Sequence, residues 1–269
     1  MEKLILNAIK EHFNINLEEN EQIISDSFSK YPGEKKKKIT VCGYGIFKDN
    51  IAKRGSHRYF LEIQINNISN KTLTAFMLNP SNSLPNEGFD QTVRNVIRIA
   101  YVKNYSKVVI LNTFSLINGK GQDAIKNYKK QAKNNNDLNR KIINFYLRNY
   151  STDLMIAWGT QIQTSDKIYY LEQIKNIQQK ENKNINLIAY AWNKKANCPY
   201  HPSQQVDNSK KNIDIDGDGR VLSSFLEKNK NFKLLKVNNN FELEFTGKFY
   251  NLMFPQNELK CVYPNAYSN

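Results

Sequence analysis

Four short polar stretches stand where apolar runs stop. Asn79-Pro80-Ser81 follows the run Leu73 to Leu78, and Asn112-Thr113 follows Val108 to Leu111. Trp158-Gly159-Thr160 ends the run from Leu154, and Tyr200-His201-Pro202-Ser203 comes after Ile185 to Ala191 by way of WNKKANCP. A carboxamide donates and accepts hydrogen bonds at once, and an imidazole can hold or give up a proton near neutral pH, so these types suit recognition of a polar ligand and proton chemistry. Asn79 is a candidate site residue, held by Pro80 in a restricted backbone geometry at the mouth of a cleft. The structural alternative is an Asn-Pro turn opener. That alternative loses ground once His201-Pro202-Ser203 is seen to stand after another strand.

The elements that position these stretches are legible. The four apolar runs are short and nearly continuous, the pattern of strands buried on both faces, as in a parallel sheet between helices. Helical patterns separate them. GFDQTVRNVIRIAYVKN places Phe89, Val93, Val96, Ile97, Ala100 and Tyr101 on one stripe, NDLNRKIINFYLRN places Leu138, Ile142 and Phe145, and SDKIYYLEQIKNIQQK opens with a Ser165-Asp166 cap. The expected fold is a three-layer α/β/α sandwich with a central, mainly parallel four-stranded sheet. HRYFLEIQI and ITVCGYGIF read as extra edge strands, and a hairpin around Asn238-Asn239-Asn240 closes the domain. Residues 1–50 read as an amphipathic helix, with Leu4, Ala8, Ile9 and Phe13, followed by a basic extension; residues 51–269 form the main domain with its hairpin. In open parallel sheets ligands bind beyond the carboxyl ends of the strands, which is where all four polar stretches fall.

Composition narrows the partners. Of 269 residues, 39 are Lys or Arg and 25 Asp or Glu, a net charge of +14 that favours a polyanion such as nucleic acid, although a Lys- and Asn-rich proteome bias gives the same number. Cys42, Cys198 and Cys261 form no CxxC pair, which excludes a zinc ribbon and a four-cysteine cluster, and free thiols fit a reducing cytoplasm. MEKLILNAIKEHF is broken by Lys10 and Glu11, so a signal peptide and a membrane span are not expected. DIDGDGR at 214–220 resembles a calcium loop but has Phe225 where the loop needs Glu. His12 and His57 read as a surface helix residue and a strand-edge residue, and Cys198 lacks an activated partner beside His201. Asp90 and Thr92 open a helix, where a carboxylate favours the dipole; Asp90 is either a cap or a base that orients the Asn79 amide. Arg94 and Arg98 follow one turn apart, as phosphate contacts or as a solvated face.

The motifs also carry a resemblance. FMLNPS followed far downstream by YHPSQQ resembles the two signature motifs of the uracil-DNA glycosylase superfamily, and the pairing of Asn with His is most similar to its single-strand-selective monofunctional branch, whose motifs run GMNPG and HPS. KVVILN resembles the LLLN strand of those enzymes and DLMIAWG their LLWG strand. The chain is also similar to an uncharacterised bacterial and phage domain family carrying RY, NPS, DxT, N and HP in this order, over roughly residues 57 to 205.

The resemblance implies a uracil-DNA glycosylase-like fold and specific roles. Asn79 would position the attacking water, and His201 would hydrogen-bond the base as it departs with negative charge. Asn112 would read the edge of the flipped base, with Pro80 and Asp90 beside it and Phe89 against its face. Ser81, Ser203 and Arg94 would hold DNA phosphates. HPSQQVDNS lacks the bulky apolar wedge of such enzymes, so either insertion would fall to Gln204 or Gln205, or the substrate would be unpaired or already damaged. The implied function is a monofunctional DNA glycosylase acting on a modified or damaged base in repair or anti-phage defence. It would work in the cytoplasm as a monomer on DNA, without metal or cofactor and without a membrane. The alternatives are a non-catalytic nucleic-acid-binding module of the same fold and a hydrolase of free nucleosides or nucleotides.

Overall fold

The computed structural model describes residues 4–16, 21–30, 38–66, 69–118, 133–193, 196–203 and 232–249. In chain order these form α1 (Leu4–Phe13), β1 (Glu21–Ser29), β2 (Lys38–Phe47), β3 (Arg58–Ile65), β4 (Thr72–Met77), α2 (Gln91–Val102), β5 (Lys107–Asn112), α3 (Lys133–Asn149), β6 (Asp153–Ile156), α4 (Thr164–Lys180), β7 (Asn186–Ala189), β8 (Trp192–Asn193), β9 (Cys198–Pro199), β10 (Phe232–Val237) and β11 (Leu243–Phe249).

The fold is mixed α/β, with a largely parallel central sheet flanked by helices. The sheet has nine strands in the order β1-β2-β3-β5-β4-β6-β7-β10-β11, not the four expected. The four runs singled out above are β4, β5, β6 and β7, and they pair in parallel in the middle. The remaining strands extend that core antiparallel on both sides. The unexpected strand is β1. Its EQIISDSFS buries only Ile24 and Phe28, four residues apart, so no period-two alternation marks it. β2 pairs with β3 across residue 50, so the N-terminal region contributes to the same sheet as the main domain.

Successive strand residues face opposite sides, and two apolar clusters follow. Leu73, Ala75, Met77, Val108 and Ile110 meet Val93, Val96, Ile97 and Ala100 of α2 on one face. Phe76, Val109, Leu111 and Leu154 meet Ile142 and Tyr146 of α3, and Leu171 and Ile174 of α4, on the other. Each such side chain contributes about 1.5–3 kcal/mol on burial. Phe76 anchors the second layer edge-on to Trp158 and Tyr170, with ring centroids at 5.5 and 4.9 Å. Because β5 lies on one side of β4 and β6 on the other, and α2, which follows β4, covers the opposite face from α4, which follows β6, the sheet has a topological switch point between β4 and β6, the usual ligand crevice of open α/β sheets. Asn79 lies two residues beyond β4, at that crevice.

Candidate functional site

The segment that follows β5 is the floor of the site. On one side Thr113 and Phe114 donate to Met77 O and Leu78 O at 2.9 and 3.0 Å, and Asn118 donates to Pro80 O at 3.0 Å. On the other side Arg58 donates to Ser115 O at 2.8 Å and Ile117 to Ser56 O at 2.8 Å. Asn79 and Arg58 therefore flank one strand-like segment, with backbones about 10 Å apart at ordinary strand spacing.

Asn79 is half-buried, and both hydrogens of its Nδ2 are committed to carbonyls, Pro80 O at 3.0 Å and Asn118 O at 2.6 Å. What the side chain can offer a ligand is its Oδ1, an acceptor. Asp90 plays no part in orienting that amide. It is the N-cap of α2: Oδ1 accepts Thr92 N–H at 2.8 Å and Val93 N–H at 3.3 Å. Its Oδ2 takes the hydroxyls of Ser81 and of Ser83, the latter at 2.5 Å. Four donors fill a carboxylate's acceptor sites, so the expectation of Asp90 as a base or substrate ligand gives way to a structural role that ties the loop after β4 to α2. Ser81 is committed to the same carboxylate.

His201 arrives from the other motif. The β8–β9 hairpin returns the chain from β7, and Tyr200 N–H donates to Ala191 O at 3.1 Å. Two side chains then hold the backbone of the motif: Tyr190 Oη donates to His201 O at 2.8 Å and Asn95 Nδ2 of α2 to Pro202 O at 2.8 Å. Burial pushes the His201 pKa down to about 4, against the opposing charge of Asp90. The ring is therefore neutral at pH 7. Its Nδ1 accepts Ser203 N–H at 3.2 Å and lies 2.7 Å from Ser203 Oγ, so the single ring proton sits on Nε2. Asp90 also acts on the charge of Arg58, which places both His201 and Arg58 within its field. The two motifs converge.

Other expected site residues fall elsewhere. Phe89 is 1% exposed, its ring so close to β2 that a Cβ on Gly43 would lie 2.7 Å from its Cζ. It packs the α2 layer and forms no pocket wall here. Arg94, a third exposed, is paired with Asp26 of β1 at 2.9 Å and lies over the Phe28 ring, while the buried Arg98 donates to Ser29 O and Asn95 Oδ1, so both guanidinium groups are committed within the protein. The Ser165-Asp166 cap is not formed: α4 starts at Thr164, and Asp166 in its first turn pairs with Arg140 at 3.0 Å. Trp158 is core. Gln204, Gln205, most of the basic run 33–38, Cys261 and the 214–220 loop lie outside the described residues. Burial raises the Cys198 thiol, the opposite of an activated nucleophile. Among the described residues no His, Cys, Asp and Glu cluster could hold a metal ion, and no helix is long and apolar enough to cross a membrane.

Buried side-chain atoms at this sheet edge that lack a hydrogen-bond partner include two donors, Arg58 Nη2 and Asn112 Nδ2, and two acceptors, Asn82 Oδ1 and Asn139 Oδ1. Alternation along β5 puts Asn112 on the α2 face with Val108 and Ile110. Arg58, Asn82, Asn95 and Tyr190 were not singled out as site residues from the sequence. The usable signals were a cation opening the apolar run RYFLEIQI and an amide on the buried stripe of α2. No curated protein and no solved structure matches the chain. A family model matches from the arginine that begins β3 to the serine that donates to His201 Nδ1, the interval in which the RY, NPS, DxT, N and HP residues occur. Over residues 58–203, more than half its length, the chain thus belongs to the family described as "Protein of unknown function (DUF1643)".

Proposed function

We propose that the protein is a monofunctional DNA glycosylase of the uracil-DNA glycosylase type, hydrolysing the N-glycosidic bond of a flipped modified or damaged base without metal or cofactor. One observation carries the reading. Beyond the carboxyl ends of the strands, Asn79 offers only its carbonyl oxygen, and His201, whose loop is tied to α2 through Asn95 and Pro202, is neutral and protonated on Nε2.

In the reaction the bond between the base nitrogen and sugar C1′ breaks, and its electron pair leaves with the base. A water oxygen bonds to C1′, and the proton it releases is taken up by the base. Positive charge gathers on the sugar and negative charge on the base, so catalysis consists mainly of stabilising both. Asn79 Oδ1 accepts from the attacking water and aims it. The Nε2–H of His201 donates to the base oxygen where charge develops, and Tyr190 and Asn95 hold the backbone that carries it. Asn112 Nδ2 is a donor suited to the edge of the base. A stacked base must first be flipped out or taken from a single strand, and the net charge of +14 supplies attraction to DNA that is independent of sequence. Repair, or defence against phage DNA with modified bases, is the setting in which such a reaction serves the cell.

The test is base release from DNAs containing uracil, hydroxymethyluracil, or hydroxymethylated or glucosylated cytosine, with alkali to cut abasic sites and His201→Ala as control. Cleavage by the wild type alone is the expected result. Silence across the panel with salt-sensitive DNA binding retained overturns the enzyme in favour of a binding module.

A further inference from the structure

Arg58 is 1% exposed at the start of β3. Its Nη1 reaches Ser83 O at 3.4 Å, and its Nη2 is buried with no partner. Burial pulls its pKa down to about 10, so it still carries its charge at pH 7. Leaving a charged donor unsatisfied is among the costlier things a folded chain can do. The nearest carboxylate does not relieve it: Asp90 is already filled by Ser81, Ser83, Thr92 and Val93, and acts on Arg58 through its charge alone. Arg94 and Arg98, by contrast, are both hydrogen-bonded. A second unpartnered donor, Asn112 Nδ2, sits at the same end of the sheet. Donors without acceptors call for a ligand rich in acceptors, and a buried guanidinium calls for one that is negatively charged.

We propose that Arg58 is an anion-binding residue of this site, its Nη2 donating to a negatively charged oxygen of the ligand. The turn after Ser83 is the route of entry. A cavity of about 410 Å³ on that turn is lined by Leu84 and Glu87 together with the cations Lys53 and Arg54, and the turn begins beside Ser83, whose carbonyl Arg58 Nη1 reaches. The assignment rests on the glycosylase reading for the identity of the ligand. In that reaction two groups carry such an oxygen: the phosphate next to the target nucleotide, and the oxygen of the base as it leaves.

The experiment uses the full chain with Arg58→Lys and Arg58→Met, each checked for folding by circular dichroism. Thermal unfolding is followed in inorganic phosphate, deoxyuridine monophosphate, deoxyuridine and uracil, against chloride at equal ionic strength. At least one anionic probe should raise the wild-type Tm with concentration, as any ligand of the native state does. Arg58→Met should abolish that shift and Arg58→Lys should keep only part of it, since an ammonium lacks the planar fork. On cleavable DNA both variants should lose about tenfold or more in kcat/KM, the scale of one charged hydrogen bond. A loss carried by KM, with a shift from the phosphate probes, assigns the phosphate; a loss carried by kcat, with a shift from uracil at alkaline pH, assigns the base. Equal shifts in wild type and variants, or no wild-type response to any probe, overturn the assignment. Cleavage that ignores both substitutions removes Arg58 and leaves the glycosylase standing. An Arg58-dependent shift without cleavage of any DNA does the reverse. Should the Met variant not fold, the Lys variant alone decides.

Discussion

The two ends of the central sheet bury charge in opposite ways. At the amino end, Asp153 opens β6 and accepts Tyr105 Oη at 2.8 Å and Asn186 Nδ2 at 2.8 Å, one on each oxygen. Nearby, Lys107 at the start of β5 meets the buried Glu62 at 2.9 Å. Neither Glu62 oxygen has a hydrogen bond of full geometry, so its charge is met by the Lys107 ammonium as an ion pair, and the other unpartnered side-chain atoms described at that end, Ser151 Oγ and Gln64 Nε2, are neutral. At the carboxyl end a guanidinium has a buried donor with no acceptor, and a histidine is held neutral by burial. Paired charge at one end fastens strands together. Unmatched polarity at the other has no use in the fold itself, which is what a place for a ligand looks like before the ligand arrives.

The largest effects should separate the two ends cleanly. At the carboxyl end, His201→Ala or Asn79→Ala should lower kcat for base release by about a hundred- to a thousand-fold, the loss typical of one preorganised group, with unfolding free energy changed by no more than about 1 kcal/mol. At the amino end, Asp153→Ala removes the acceptor that the Tyr105 hydroxyl and the Asn186 amide share and should cost about 3 kcal/mol of stability, while kcat per folded molecule holds. Urea unfolding beside single-turnover cleavage reads both. Equal damage to activity from the two ends would erase the distinction.

A pH series sharpens the same contrast. A histidine whose pKa falls from 6.5 in the unfolded chain to about 4 in the folded one takes its proton more readily when unfolded. Stability is therefore intact above pH 6.5, declines as the pH falls through this window, and levels off below about pH 4. The decline is on the order of 3 kcal/mol. His201→Ala should flatten it, whereas Asp153→Ala should leave the slope between pH 6.5 and 4 in place. Cleavage should persist at pH 5.5, where an ordinary histidine would already be charged.

How much of this was legible from the residues follows from which forces act locally. The four parallel strands, the three helices after them and the closing hairpin announce themselves because each buries a continuous run or a stripe of its own. β1 does not, because as an edge strand it buries only Ile24 and Phe28 and leaves Ile23 exposed. Asn79 and His201 were visible as polar residues at strand ends. Phe89 was misjudged because an aromatic before a helix reads alike whether it lines a cleft or fills the space beside Gly43, and only the register of β2 decides. Arg58 was passed over because burial of its guanidinium depends on the loop through Ser83, far off in sequence. Sequence pattern reports what a residue could offer; whether a tertiary partner has already taken it is a long-range fact.

Arg94 is where that distinction predicts the smallest effect. Read from the helix alone, it is a cation one turn from Arg98 and suited to DNA phosphate. In the fold its Nε and Nη2 both donate to Asp26 Oδ2, at 3.1 and 2.9 Å, and the same oxygen takes Phe89 N–H at 2.9 Å. A phosphate contact would have to break this bridge between α2 and β1, leaving Asp26 to the Phe89 amide. Arg94→Ala should therefore cost about 1 kcal/mol of stability, since the pair is a third exposed on the arginine side. It should leave the dependence of DNA affinity on salt unchanged, whereas loss of a true phosphate contact reduces the slope of log K against log salt by about one. A reduced slope for Arg94→Ala would mean that the Asp26 pair opens when DNA binds. The carboxyl end of the sheet would then extend its anion-binding surface along α2 as far as β1.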